Sequence, residues 1–206
     1  ILGFAQLSAK TDNLSNQVHS DLDNIIKAAL HAREIIKKLM FFSRQTPPRE
    51  MQVNLNRLIE DGMYLFGARC AKNGITINKS LCNNLPAIKA DISQLQQVFT
   101  NLVVNAIHAM PNEGELNIET IFDRQAVYLI VTDSGVGMAE ETLKQIFLPF
   151  FTTKDVNKGT GLGLSVAHGI VRAHGGNIEV ESCIGKGTKF KICFPLKREA
   201  SKSEKG

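Results

Sequence analysis

Three short signals between Asp133 and Gly163 constrain this chain more than any other stretch. Asp133-Ser-Gly-Val-Gly-Met ends an apolar strand pattern, Leu148-Pro-Phe-Phe-Thr-Thr-Lys follows a mixed helix, and Gly159-Thr-Gly-Leu-Gly-Leu-Ser runs straight into a helical pattern. Alternating glycines let the backbone approach a flat ligand, because no Cβ intrudes and positive φ costs little. A glycine turn that opens a helix offers free N–H groups and the positive end of the helix dipole to a phosphate. One end of the stretch therefore suits a base and the other a polyphosphate. Neither common nucleotide fingerprint applies. Gly159–Gly163 reads G-x-G-x-G with no strand leading directly into it, and in Gly185-Lys-Gly-Thr188 a glycine interrupts the Lys-Thr pair of a P-loop.

The rest of the chain reads as two regions. Leu22, Ile25, Ala29, Ala32, Ile36 and Leu39 step by three and four residues along a helix from about Asn16 to Arg44, a heptad-like seam. Ile26, Leu30 and Met40 widen the apolar face, as in a helical bundle. Ile1 to about Lys10 looks like the end of a preceding helix. Two such helices cannot bury this face alone, so a dimeric four-helix bundle is expected. Thr46-Pro-Pro marks the boundary. Beyond it the pattern mixes helix and strand: a helix over Leu55–Asn73, strands at Ile75–Asn78 and Ala87–Ala90, and a helix over Ile92–Met110 capped by Asp91. Strands at Glu115–Phe122 and Ala126–Thr132, a helix over Leu162–His174 and a final hairpin complete it. In that hairpin Glu179 and Glu181 are expected to face Lys189 and Lys191. The expected division is a truncated helical hairpin at 1–46, a linker at 47–52, a mixed domain at 53–197 and a disordered tail at 198–206.

Composition adds limits. A net charge of +4 over 206 residues, with several lysines in the tail, does not argue for nucleic acid. No apolar run reaches membrane-spanning length, and no signal peptide is visible at Ile1. Cys70, Cys82, Cys183 and Cys193 are scattered without C-x-x-C spacing, so reduced thiols of a cytoplasmic protein are expected. The chain starts inside an apolar pattern, which suggests a fragment of something longer.

On the helix Ile92–Met110, Gln97, Asn101 and Asn105 repeat every four residues, away from the expected core face of Ile92, Leu95, Val98, Leu102, Ala106 and Ala109. Asparagine is a middling-to-poor helix former, and buried amides need partners. The stripe can be solvated, or tie down a neighbouring loop. It can also hold Mg²⁺, which prefers hard oxygens and takes few protein ligands when phosphates share it.

Together these segments resemble sensor histidine kinases. Asn101-Leu-Val-Val-Asn105-Ala-Ile-His-Ala, Asp133-Ser-Gly-Val-Gly, Phe150-Phe-Thr-Thr-Lys and Gly159-Thr-Gly-Leu-Gly-Leu-Ser are similar to that family's N, G1, F and G2 boxes, in order and spacing. Gly185-Lys-Gly-Thr188-Lys-Phe looks like its final glycine motif. Ile1-Leu-Gly-Phe-Ala-Gln-Leu resembles the residues just after the phosphoacceptor histidine of the nitrogen-regulator-like subgroup. The resemblance implies an α+β fold: a helical dimerisation hairpin, then an α/β sandwich ATP domain of the gyrase, chaperone and histidine kinase type. It implies Asp133 on the adenine amino group with Thr188 helping through water, and Gly135 and Gly137 lining the base pocket. It puts Asn105 on Mg²⁺ and Asn101 close to the phosphates as the catalytic pair. Gly159, Thr160, Gly161, Leu162, Gly163 and Leu164 would serve the phosphates, below a mobile lid at Phe151–Lys158. Lys154 is either a phosphate contact or a solvated lysine. His108 stands where some relatives carry a phosphate-binding lysine, and a neutral histidine weakens that role.

The function implied is autophosphorylation by Mg-ATP and relay to an aspartate of a response regulator receiver domain, in a cytoplasmic homodimer whose membrane attachment, if any, is expected only through upstream regions. The acceptor histidine is expected upstream of Ile1, and His19, His31, His168 and His174 are expected to be ordinary. Three competing readings are an ATP-hydrolysing switch of the gyrase or mismatch-repair kind, a nucleotide-binding serine kinase that regulates a sigma factor, and a non-catalytic interaction module. The first needs a water-activating glutamate where Asn101 stands, and an amide cannot take that proton.

Overall fold

The computed structural model describes residues 1–11, 14–43, 49–153 and 159–196. The proline boundary at 46–48, Lys154, the central part of the expected lid and the tail from 197 onward lie outside the described residues. The chain separates into two compact units, Ile1–Gln45 and Thr46–Gly206.

The first unit is a helical hairpin. Helix α1 (Leu2–Ser8) packs on α2 (Asn16–Ser43), and Ala5 is buried between turns of the pair. Ile25 and Ile36 of the seam stay about half exposed, at 45% and 55%.

The second unit is a two-layer sandwich. Its sheet of five strands runs in the order β2 (Ile75–Leu81), β4 (Gly114–Phe122), β5 (Ala126–Asp133), β7 (Gly187–Pro195), β6 (Asn177–Cys183). Only the β2–β4 pair is parallel. A separate antiparallel pair joins β1 (Met51–Val53) to β3 (Ile88–Ala90), so Met51 and Gln52, expected in a linker, belong to a strand. Helices α3 (Leu55–Lys72), α4 (Ile92–Ala109) and α6 (Gly163–Ala173) form the second layer, and a short α5 spans Glu140–Leu143.

Alternation along the strands makes the core. Leu116 and Ile118, then Val127, Leu129 and Val131, then Phe190, Ile192 and Phe194 occupy one face in matched register and are all buried. The opposite face is charged, and the Glu179–Lys191 and Glu181–Lys189 pairs form, each at 3.8 Å.

Helix α4 is anchored at its start. The Asp91 carboxylate accepts the N–H groups of Ser93 and Gln94 at 2.9 and 3.2 Å, and the Arg49 N–H at 3.1 Å. His174, at the end of α6, is buried against the same point. Its Nε2 accepts the Asp91 N–H at 3.0 Å, and its Nδ1–H donates to the Ile170 carbonyl at 2.8 Å. These partners fix the neutral tautomer, because an amide N–H only donates and a carbonyl only accepts.

Candidate functional site

The sheet and α4 converge at one end of the second unit. The register Leu116↔Asp133↔Thr188 places Asp133 and Thr188 side by side on the core face, where the apolar rows stop. They are 4% and 6% exposed, buried polar groups at the end of a strand face on which, in β4, β5 and β7, Thr120 is the other buried polar residue. Asp133 accepts the Gly135 N–H at 3.0 Å, and the Thr188 backbone N–H also bonds its carboxyl. Burial outweighs both contacts and pushes the carboxyl up to about 6.

A cavity of about 280 Å³ opens beside this pair. Asp133, Thr188, Gly137, Val136 and Met138 lie at one part of its wall, Phe190 and Ile146 add apolar surface, and Asn105, His108, Phe151, Thr152, Thr153, Gly159, Thr160, Gly161 and Leu164 complete it. The shape is that of a small-ligand site, largely apolar with a few convergent polar groups.

Two glycines make the close approaches that shape the wall. Gly137 has φ +66°, and a Cβ there would run into the Cys183 carbonyl of the β6–β7 hairpin. Gly161 has φ +65°, and a Cβ would strike the backbone of Phe150, which itself holds φ 68°. Side chains at these positions would force the hairpin and the 150 turn apart.

The cavity thus gathers Asn105, His108, Asp133, Gly137, Gly159, Thr160, Gly161, Leu164 and Thr188. Four other singled-out residues stand off it. Gly135 presses its bare Cα against the Ala109 carbonyl, which packs α4 against the strand end. Leu162 is 1% exposed, its side chain in the core at the start of α6. The Asn101 side-chain amide donates to the Gly163 carbonyl at 2.9 Å, so both residues brace α4 against α6. Lys154 lies outside the described residues.

The structure also adds residues that sequence patterns did not single out. Arg69, in the last turn of α3, donates to His108 Nε2 at 3.0 Å, which brings a guanidinium to the edge of the cavity. Among the described residues the cavity wall contains no lysine or arginine. Arg69 and His108 are 39 residues apart, and no local signal joins them. Ser182 of β6 bonds Thr188 and Met138, and in sequence it resembles any strand serine.

Residues 90–198 match the family described as histidine kinase-, DNA gyrase B- and HSP90-like ATPases, and the chain belongs to this family, among its sensor histidine kinases. It is 36% identical over 219 residues to the sensor kinase CckA of Brucella abortus, covering 99% of this chain and 23% of CckA. It is 35% identical over 196 residues to the sensor histidine kinase ZraS of Escherichia coli, covering 95% of this chain and 42% of ZraS. The chain thus spans less than half the length of these curated relatives. Among solved structures it resembles full-length ShkA in complex with AMPPNP, with a TM-score of 0.83 and 25% identity over 95% of this chain and 42% of ShkA. It also resembles the histidine kinase ThkA in complex with the response regulator protein TrrA, with a TM-score of 0.71 and 30% identity over 94% of this chain and 56% of ThkA.

Proposed function

We propose that this chain is the ATP-binding core of a protein-histidine kinase that passes the γ-phosphoryl group of Mg-ATP to a histidine, for relay to a receiver-domain aspartate. The observation that carries this reading is the convergence of Asp133, Thr188, Asn105 and the Gly159–Gly161 turn on one cavity. In this reading Asp133 and Thr188 hold the adenine edge and Gly137 lets the base lie against backbone. Gly159, Thr160 and Gly161 face the phosphates at the approach to α6, and Leu162, Gly163 and Leu164 set the start of that helix. Lys154 is proposed as a further phosphate contact.

Mg²⁺ fits the Asn105 amide oxygen, a hard ligand at the cavity wall. Among the described residues no three His, Cys, Asp or Glu side chains form a cluster, which suits an ion shared mainly with phosphates and water. The ion would neutralise charge on the transferring group. Asn101 keeps α6, and with it the phosphate turn, in place through Gly163. Phosphoryl transfer needs mainly positioning and charge neutralisation; these residues supply the first, and the ion they hold would supply the second.

Homodimerisation through the helical hairpin is proposed from the half-exposed Ile25 and Ile36 on the seam. The ThkA complex supports a receiver domain as partner, and the use of ATP supports a cytoplasmic setting. No described helix is long and apolar enough to cross a membrane. Calorimetry with ATP and Mg²⁺ tests the core of the reading. Asp133→Ala and Asn105→Ala should each weaken binding at least tenfold, by roughly 1.4 kcal/mol or more. Unchanged affinity in both variants would remove the assignment.

A further inference from the structure

Ser182 stands in the same cross-strand row as the two polar groups of the cavity, since the register pairs Ser182 with Thr188 and Thr188 with Asp133. Its hydroxyl has three partners. It lies 2.8 Å from the Gly187 carbonyl, 2.9 Å from the Met138 backbone nitrogen and 3.0 Å from Thr188 Oγ1. A serine hydroxyl owns one proton. The Gly187 carbonyl can only accept, so that proton is directed there. The Met138 N–H can only donate, and Ser182 accepts it. For the third contact to be a hydrogen bond, the proton must come from Thr188.

This accounting determines what Thr188 offers the cavity. With its O–H aimed at Ser182, Thr188 Oγ1 presents lone pairs. Thr188 is 6% exposed, so the hydroxyl cannot turn to water without giving up a buried bond. Asp133, next to it, is also an acceptor once ionised. Two acceptors side by side complement an amino group and repel a carbonyl oxygen. A water bridging the pair would give a proton to each and offer the base a lone pair, so the preference has the same sign through water.

We propose that Ser182 is a positioning residue that locks Thr188 as a hydrogen-bond acceptor, so that the cavity selects purines with a 6-amino group over purines with a 6-carbonyl. The proposal rests on the nucleotide reading above and adds to it the residue outside the cavity wall that sets base choice. Substitution of Ser182 frees the Thr188 hydroxyl to rotate and donate.

The test measures dissociation constants for ADP and inosine diphosphate, which differ at the purine 6-position and the N1 proton, at pH 7.5 with Mg²⁺. Ser182→Ala should lower the ratio of the inosine to the adenosine constant roughly three- to tenfold, chiefly by tightening the inosine nucleotide. Ser182→Thr keeps one hydroxyl and should retain the ratio. In a Thr188→Val background Ser182→Ala should leave the ratio unchanged. Equal weakening of both nucleotides by Ser182→Ala, the mark of a merely structural role, would overturn the proposal. So would a ratio that still shifts when Thr188 is valine. Failure of the unaltered chain to bind ADP would instead bring down the nucleotide reading itself.

Discussion

Burial pushes the Asp133 carboxyl from 3.8 up to about 6, against the two N–H groups that favour its charge. A carboxyl raised on folding contributes stability below its unfolded value and loses it as pH rises through the folded one. The domain should therefore lose on the order of 3 kcal/mol from this group between pH 3.8 and pH 6. Asp133→Asn should recover part of that at pH 7.5, read by urea unfolding, and nothing near pH 4. An amino group donating to Asp133 favours the charged form, so binding and ionisation are linked. ATP affinity should fall as pH drops below about 6, approaching tenfold per unit. Calorimetry giving the same affinity at pH 7.5 and pH 5 would contradict this account of the site.

Among the elements, α4 does most to relate core and cavity. Its start is fixed by Asp91 and His174, and its far end carries Asn105 and His108 to the cavity wall. His174→Ala leaves the Asp91 N–H without its acceptor and should cost about 1–3 kcal/mol of stability in denaturant titration. A loss below a few tenths would mean that water replaces the imidazole. Helix α4 and its Asp91 cap were legible in sequence because both signals are local. The charged pairing of β6 and β7 was legible because alternation shows in each strand separately. Strand β1 was not, since three residues have no room for a pattern. Strand β2 extends over Lys79-Ser80-Leu81 because β4 supplies a partner, not because those residues favour a strand. The glycine turns and Asp133 announced the cavity. The bracing role of Asn101, the Arg69–His108 contact and the Ser182 row depend on packing or cross-strand register between distant residues, which spacing along the chain does not reveal.

At the scale of the whole molecule, the described wall of the cavity has Asp133 as its one carboxylate, and in the proposed reading that group is engaged with the base and not with a hydrolytic water. Asn101 is an amide bonded to Gly163, and Asp133, the acid among the described residues of the wall, sits deep beside Thr188 at the strand end of the cavity. ATP turnover by this chain should therefore stay well below about 1 per second. Steady-state phosphate release at or above that rate would show that another group activates water. The two ends of the cavity are also built differently. Asp133 and Thr188 belong to strands and Gly137 is pressed against the β6–β7 hairpin, whereas Gly159, Thr160 and Thr153 belong to loops without such backing. In the proposed reading, ATP and ADP share every contact at the strand-built end and differ only at the other. Spent nucleotide would then compete with fresh nucleotide for one berth. Such a protein would be throttled by its own product, and its signalling output would track the ratio of ATP to ADP in the cell more closely than the amount of ATP.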